Sequence, residues 1–326
     1  MEKTVAETNG IKGYKFNLDL NKYGIPIAFV IMMIVLTFLS DRFLTLNNIR
    51  NVLRQSSILF IVACGQTLVL LTSGIDLSQG SVISLVSMTT ALSLCKYGLV
   101  PGVVIGILTG IFCGSVTGLL VGKAKLLPFV ASLAMQYIAD GLALISNNGL
   151  PVTNIPGNVI DKFFMIGGGY IGWFPVPLII AVVVFLILYF MLKKTKLGRY
   201  IYAIGGNQEA ARLSGINVDR INIMVFSLSG LLSALASIVL TARMVSGQPI
   251  VGQEYTMQSL GATVIGGTLL TGGKGGVTNT IFGVLFIGFM TNGLNILGIS
   301  TFVQRVLIGA VILISVYMTS IKKKQA

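Results

Sequence analysis

Charge is so sparse along this chain of 326 residues that the positions of its charged side chains constrain the fold more than any motif does. Charge-free runs cover 23–40, 55–75, 77–95, 97–122, 141–160, 163–192, 221–242, 255–273, 275–304 and 306–321. Most are near the roughly 20 residues that a helix rising about 1.5 Å per residue needs to cross about 30 Å of hydrocarbon. Charged residues make up 10% of the chain, against about a quarter in soluble domains. An ordinary soluble enzyme is therefore excluded. The expected fold is an all-α polytopic membrane protein with about ten transmembrane helices: Gly24–Ser40, Ser57–Ile75, Leu77–Cys95, Leu99–Gly122, Leu126–Ser146, Trp173–Leu192, Ile221–Thr241, Thr256–Thr271, Val277–Gly298 and Thr301–Ile321.

The remaining charge gives the orientation. With both termini in the cytoplasm, sixteen basic residues fall inside, among them Lys123, Lys125, Lys193, Lys194, Lys196, Arg199, Arg212, Arg220 and Lys274, and six fall outside. The excess has the sign that the positive-inside rule requires. Residues 1–22 are then a cytoplasmic tail, too long and too mixed in charge for a secretory signal. Residues 23–321 form a single membrane domain with a cytoplasmic loop at 193–220, and 322–326 a second tail. Outside, Phe43, Leu46, Ile49 and Leu53 repeat at helical spacing beside Arg50 and Arg54 and predict an interfacial helix. The Gly-, Pro- and Asn-rich stretch Asn147–Gly172 predicts an extracytoplasmic loop lying over the bundle.

The chain has no histidine and three cysteines without metal or redox spacing, so no metal site is expected and Cys64, Cys95 and Cys113 read as small packing residues. Gly267 to Gly275 contains a lysine among glycines but lacks the phosphate-loop order, since Thr268 and Gly275 stand where that motif needs Gly and Ser or Thr. No nucleotide site is predicted in this chain. Glycines at 102, 106, 110, 114, 118 and 122 form a row through the fourth span, a pattern that lets helix backbones approach closely. A step of four advances about 400° around a helix. The row creeps by about 40° each time and predicts two neighbours, or one oblique one.

Lys193–Arg220 is the one long intracellular loop. Within it Asn207 suits an N-cap, Gln208 to Ser214 can make two helical turns, and Gly215 suits the left-handed residue that ends them. Glu209 complements the helix dipole, and Ala210, Ala211 and Leu213 offer a small apolar surface. Composition alone leaves a docking helix and a charged connector as equal readings. The run Glu209-Ala210-Ala211-Arg212-Leu213-Ser214-Gly215 resembles the Glu-Ala-Ala loop of binding-protein-dependent ABC importer permeases. Leu197 to Asn207, Gly65-Gln66-Thr67, Thr72 to Ser78, Gly266-Gly267-Thr268, Gly272 to Gly275 and Asn292-Gly293-Leu294-Asn295 narrow the resemblance to the ribose-type sugar permeases. The Ile-x-Leu-Pro continuation found after the Gly in many importer families is absent here, as it is in the ribose-type branch.

The resemblance implies a transport subunit in the bacterial cytoplasmic membrane that passes ribose or a related monosaccharide delivered by an extracytoplasmic binding protein. Two such permeases would form the pore, as a homodimer. Cytoplasmic ABC ATPase subunits would hydrolyse ATP with Mg, and this chain would bind no cofactor. Glu209, Ala210, Ala211, Arg212 and Gly215 would couple it to the ATPase. An ion-coupled secondary transporter shares the length and the charge bias but leaves the Glu-Ala-Ala loop unexplained.

Amides and hydroxyls within the spans suit a path for a polyhydroxylated solute, and they equally suit bonds between helices. The candidates are Gln66, Thr67, Asn292 and Asn295, with Asp76 beside them. A straight second helix places Asp76 at the cytoplasmic end, whereas interruption at Gly74 and Gly80 places it near the midplane. Asp140 and Arg305 both lie in the outer half of their spans and predict an intramembrane ion pair, because such charges are costly when unpaired.

Overall fold

The computed structural model describes residues 20–325, with side chains from Ile27 to Tyr317. Most of the two expected tails lies outside the described residues, although positions 20–22 and 322–325 already continue helices. The described helices are α1 (Leu20–Leu39), α2 (Leu46–Leu71), α3 (Gln79–Tyr97), α4 (Leu99–Gly122), α5 (Pro128–Ile145), α6 (Gly157–Gly168), α7 (Val176–Lys194), α8 (Lys196–Gly206), α9 (Gln208–Leu213), α10 (Val218–Met244), α11 (Gln253–Ile265), α12 (Val277–Ile296) and α13 (Thr301–Gln325). A two-stranded antiparallel hairpin, β1 (Tyr170–Ile171) and β2 (Phe174–Pro175), precedes α7. This is an all-α membrane protein.

Among the described residues six helices are long and apolar enough to cross a membrane, namely α2, α4, α5, α7, α10 and α12. Shorter apolar stretches occupy Ile27–Leu39 and Thr301–Tyr317. Two expected spans differ from that pattern for physical reasons. Helix α3 carries four serines and two threonines in 19 residues, which lowers its hydropathy. Helix α11 has 13 residues, about 20 Å at 1.5 Å per residue, and covers only part of a hydrocarbon layer of about 30 Å.

The separate interfacial helix at 43–54 does not form. Thr45 caps a continuous 26-residue α2, its side chain accepting from the Asn48 N–H. Arg50 and Arg54 sit on its first turns, Arg50 over the Trp173 ring at 5.0 Å and Arg54 donating to Asn51 Oδ1 at 3.1 Å. Asn147–Gly172 also differs from expectation, because α6 occupies its second half and buries Phe163.

Helix α2 is the most buried of the six and is surrounded by α7, α10, α11 and α12. The glycine row of α4 serves two neighbours. Gly102 and Gly106 meet Leu94 and Thr90 of α3, while Gly110, Gly114, Gly118 and Gly122 meet the backbone or Cβ atoms of α10 between Asp219 and Ala234. A row that creeps around its helix thus changes partner once. In α12 the spacing of five turns further, and Gly283, Gly288 and Gly293 face α11, α2 and α1 in turn.

Candidate functional site

Helix α2 stops at Leu71, and residues 72–78 run non-helically before α3 begins at Gln79. Asp76 lies in this break, 3% exposed. The interrupted arrangement, not the straight one, is what the chain adopts. Three donors hold the carboxylate: the Ser78 N–H at 2.9 Å and Ser78 Oγ at 2.6 Å to Oδ1, and Ser229 Oγ of α10 at 2.7 Å to Oδ2. Gln79 continues the network, donating to Ser229 Oγ at 2.9 Å and accepting from Ser259 Oγ of α11 at 3.0 Å. Non-helical backbone at membrane depth is tolerated where it is enclosed by protein and its polar groups find partners. Here α5 encloses one side, with Ser132 Oγ donating to the Ile75 carbonyl at 3.1 Å, and α11 the other, with Thr256 Oγ1 donating to the Leu77 carbonyl at 3.4 Å.

The other polar candidates are not gathered at one place. Thr67 donates to the Ala63 carbonyl and shares a 2.7 Å hydrogen bond with Thr280 of α12. Asn292 exchanges two bonds with Asn48 at the outer end of α2, at 2.8 and 2.9 Å. Asn295 Oδ1 accepts from Gln304 of α13 at 2.7 Å. Gln66 alone of this set has both amide atoms buried and without a partner.

The expected Asp140–Arg305 pair is not formed. Asp140 is on α5, which packs against α3 and α4, and Arg305 is on α13, which packs against α11 and α12. Arg305 pairs instead with Glu254 of α11, and Asp140 Oδ1 is buried with no partner.

The 193–220 loop has the predicted local structure. Asn207 Oδ1 accepts from the Ala210 N–H at 3.0 Å, α9 spans Gln208–Leu213, and Gly215 adopts φ 81°. Ala211 turns inward and is buried, whereas Glu209, Ala210 and Arg212 face out and Leu213 is 88% exposed. Asp219 at the start of α10 bonds to Lys125 from the α4–α5 connection and lies 3.9 Å from Arg212 of α9.

A contact between three segments lies behind α9, and no sequence signal assembled it. The Leu71 carbonyl that ends α2 accepts from the Gly273 N–H at 3.1 Å. Ser73 Oγ donates to the Thr271 carbonyl at 2.8 Å and to the Gly205 carbonyl of α8 at 3.4 Å. Tyr202 of α8 donates to the Gly275 carbonyl at 2.9 Å, and burial raises its hydroxyl pKa. Gly205 is wedged against Leu71 and Gly273 with no room for a Cβ. The glycine pairs at 205–206 and 272–273 mark two chain breaks in the sequence, but nothing there says that they meet.

The polar break that follows α2 is tied through Ser73 to Gly205 at the end of α8, which leads directly into the short exposed helix α9. The family model described as branched-chain amino acid transport system / permease component matches residues 48–316, and the chain belongs to that family. It is 45% identical to the ribose import permease protein RbsC of Bacillus subtilis over 317 residues, covering 97% of both chains. Against RbsC of Escherichia coli K12 the identity is 42%, over 92% of this chain and 93% of the relative, and against the L-arabinose transport system permease protein AraH of the same strain it is 38%, over 95% and 94%. No solved structure matches the chain. The protein is thus an inner-membrane permease subunit of an ABC importer, a transport component and not an enzyme, and an ion-coupled transporter is not favoured.

Proposed function

We propose that this permease passes a monosaccharide of the ribose class from an extracytoplasmic binding protein to the cytoplasm, that ATP and Mg are used by ABC ATPase subunits docked on α9, and that two copies of the chain form the pore. The near full-length relatives named for ribose and arabinose support the sugar class. The proposed topology has ten crossings, with α1, α3, α11 and α13 added to the six long helices, both termini in the cytoplasm, 23–321 as one permease domain and 193–220 as its coupling loop. Charge bias supports this orientation.

The observation that carries the coupling role is α9 itself. It is capped at both ends and presents Ala210, Leu213 and Glu209 outward. Small exposed apolar side chains flanked by charge suit insertion into a cleft of a partner. Gly215 has open space around its α-carbon, so Gly215→Val meets no neighbour and acts only through the left-handed backbone that a β-branched residue resists. In reconstituted importer at equal permease content, sugar-stimulated ATP hydrolysis and uptake are expected to fall together by tenfold or more. Full uptake by that variant would return the loop to a charged connector.

Within the membrane, Gln66 is proposed as the sugar contact, since its fully buried amide has a donor and an acceptor without partners and becomes reachable from the pathway when the helices around α2 part during transport. Gln66→Leu is expected to slow uptake severalfold while leaving assembly and basal ATP hydrolysis intact. Loss of the assembled complex instead would make Gln66 a packing residue. Thr67, Asp76 and Asn292 have their hydrogen bonds committed within the bundle, and Asn295, which is exposed, commits its Oδ1 to Gln304.

A further inference from the structure

The depth of the Glu254–Arg305 pair can be followed through hydrogen bonds between helices. Lys125, Arg212 and Asp219 mark the cytoplasmic end of α10. Ser229 lies eleven residues beyond Val218, about 16 Å at 1.5 Å per residue. Gln79 bonds to Ser229, so α3 begins near that depth. The Gly80 N–H then donates to Thr256 Oγ1 at 3.0 Å, which sets the first turn of α11 beside it. Glu254 belongs to that turn. Lower on α11, Gly261 is covered by Ile312 of α13, and Arg305, two turns above Ile312, reaches Glu254. The pair therefore lies roughly midway through a hydrocarbon layer of about 30 Å.

At this depth the two side chains are 52% and 65% exposed. Ionisable groups within a membrane face the bundle interior or a water-filled cavity, because contact with lipid leaves them poorly solvated. The side chains around the pair, Met257, Phe302 and Val306, are as apolar and exposed as Val183, Leu186 and Phe190 of α7, so the pair is a polar spot set in an apolar face. Asp140 adds an independent observation. It lies eight residues, about 12 Å, above Ser132, which bonds to Ile75 in the break, and so reaches a similar level with a carboxylate oxygen that has no partner. Helix α5, the break, α11 and α13 are neighbours in that order. Three charged side chains thus share one depth, and two of them, Glu254 and Arg305, are exposed on the face that α11 and α13 form.

We infer that this face, with Glu254 and Arg305 at its centre, is the wall that closes the transport pathway against the second copy of the chain. A two-fold interface brings the same patch of both copies together. Opposite charges at a common depth then meet across the axis, where the exposed carboxylate of Glu254 and guanidinium of Arg305 find polar surroundings. The inference rests on the two-copy reading above and adds which surface the copies share.

Cysteine at position 257 tests it, since Met257 is exposed one turn from Glu254. The chain carries Cys95→Ser, and its other cysteines, Cys64 and Cys113, are buried. In assembled importer in native membranes, Met257→Cys is expected to cross-link to a second permease with a short bis-maleimide. A charged, water-soluble thiol reagent is expected to modify it at least tenfold faster than Val183→Cys on α7. Cross-linking at 183 and not at 257 would overturn the assignment of the face while leaving the two-copy reading in place. A single permease per complex by native mass spectrometry would remove both. Neutralisation gives a second readout. In a wet wall, Arg305→Gln keeps its membrane level within twofold of wild type and lowers uptake at least fivefold. If that level collapses and Glu254→Gln combined with Arg305→Gln restores it, the pair faces lipid and the inference fails.

Discussion

Two regions of the permease use glycine to bring backbones together, and they are built for opposite ends. Along the α4–α10 seam, Gly110, Gly114, Gly118 and Gly122 meet one partner helix over four successive turns, and Ser115 and Ser227 add a 2.8 Å hydrogen bond. Each step repeats the last, so the seam is redundant, with four glycines facing Asp219, Ile223, Phe226, Gly230 and Ala234 of α10. The cytoplasmic contact of Leu71, Ser73, Gly205 and Gly273 joins three different segments through single hydrogen bonds. Nothing there repeats. A displacement of α8 removes the Ser73–Gly205 bond and the packing of Gly205 while the Leu71–Gly273 and Ser73–Thr271 bonds can persist, whereas no local displacement undoes the seam. The comparison separates a joint that holds the fold from one that links the end of α2 to α8, the helix that precedes α9.

The sharpest way to break this comparison is at the seam. In Gly114→Val the added carbon meets the Phe226 carbonyl and the Gly230 backbone, neither of which can rotate away. Folded permease in the membrane, followed by fluorescence-detected size exclusion, is expected to fall at least tenfold. A normal level would mean that the seam is as yielding as the cytoplasmic joint. Next comes Gly205→Ala, where the extra methyl is forced against Leu71 and Gly273. Insertion is expected at half the wild-type level or better, because the contact lies at the edge of the bundle. Uptake per permease is expected to drop about tenfold, with ATP hydrolysis no longer responding to sugar. Equal losses of insertion and uptake would make the joint structural. The smallest effect is expected from Ser73→Ala, which removes the bond to the Thr271 carbonyl and leaves the Leu71–Gly273 bond in place. A two- to threefold decrease in uptake, measured in the same vesicles, would apportion the joint between side chain and backbone, and an unchanged rate would assign it to the backbone.

Depth and local structure were legible in the sequence, whereas direction around each helix was not. The capped α9, the left-handed Gly215 and the change of partner along the α4 glycines all follow from spacing within one segment. The boundaries of α4 follow from charge and glycine on either side of an apolar run. Arg305 shows where this reasoning stops. Its depth required an acidic partner, and Asp140 and Glu254 both lie near that depth. Only the packing of α13 on α11 and α12, and of α5 on α3 and α4, decides between them. Arg50 and Arg54 misled for a related reason, since charge near a membrane surface suggests a helix lying flat. Here Trp173, remote in sequence, receives one of them, and Asn51 the other. The break at 72–78 was legible as an alternative through Gly74 and Gly80, but the choice between the two forms needed Ser229, more than 150 residues away.

The central position of α2 carries a consequence for how the protein is made. Its lasting neighbours α7, α10, α11 and α12 all follow it in the chain, and the nearest, α7, starts about 105 residues after α2 ends. At a synthesis rate of roughly 5–20 residues per second, α2 waits about 5–20 s before its first permanent neighbour emerges. During that interval Gln66 and Thr67 have no helix to face, and α2 is the least self-sufficient segment of the nascent chain. Chains halted before Val176 therefore present their intended core helix to lipid, which gives membrane proteases and insertion factors a physical basis for telling an unfinished permease from a completed one.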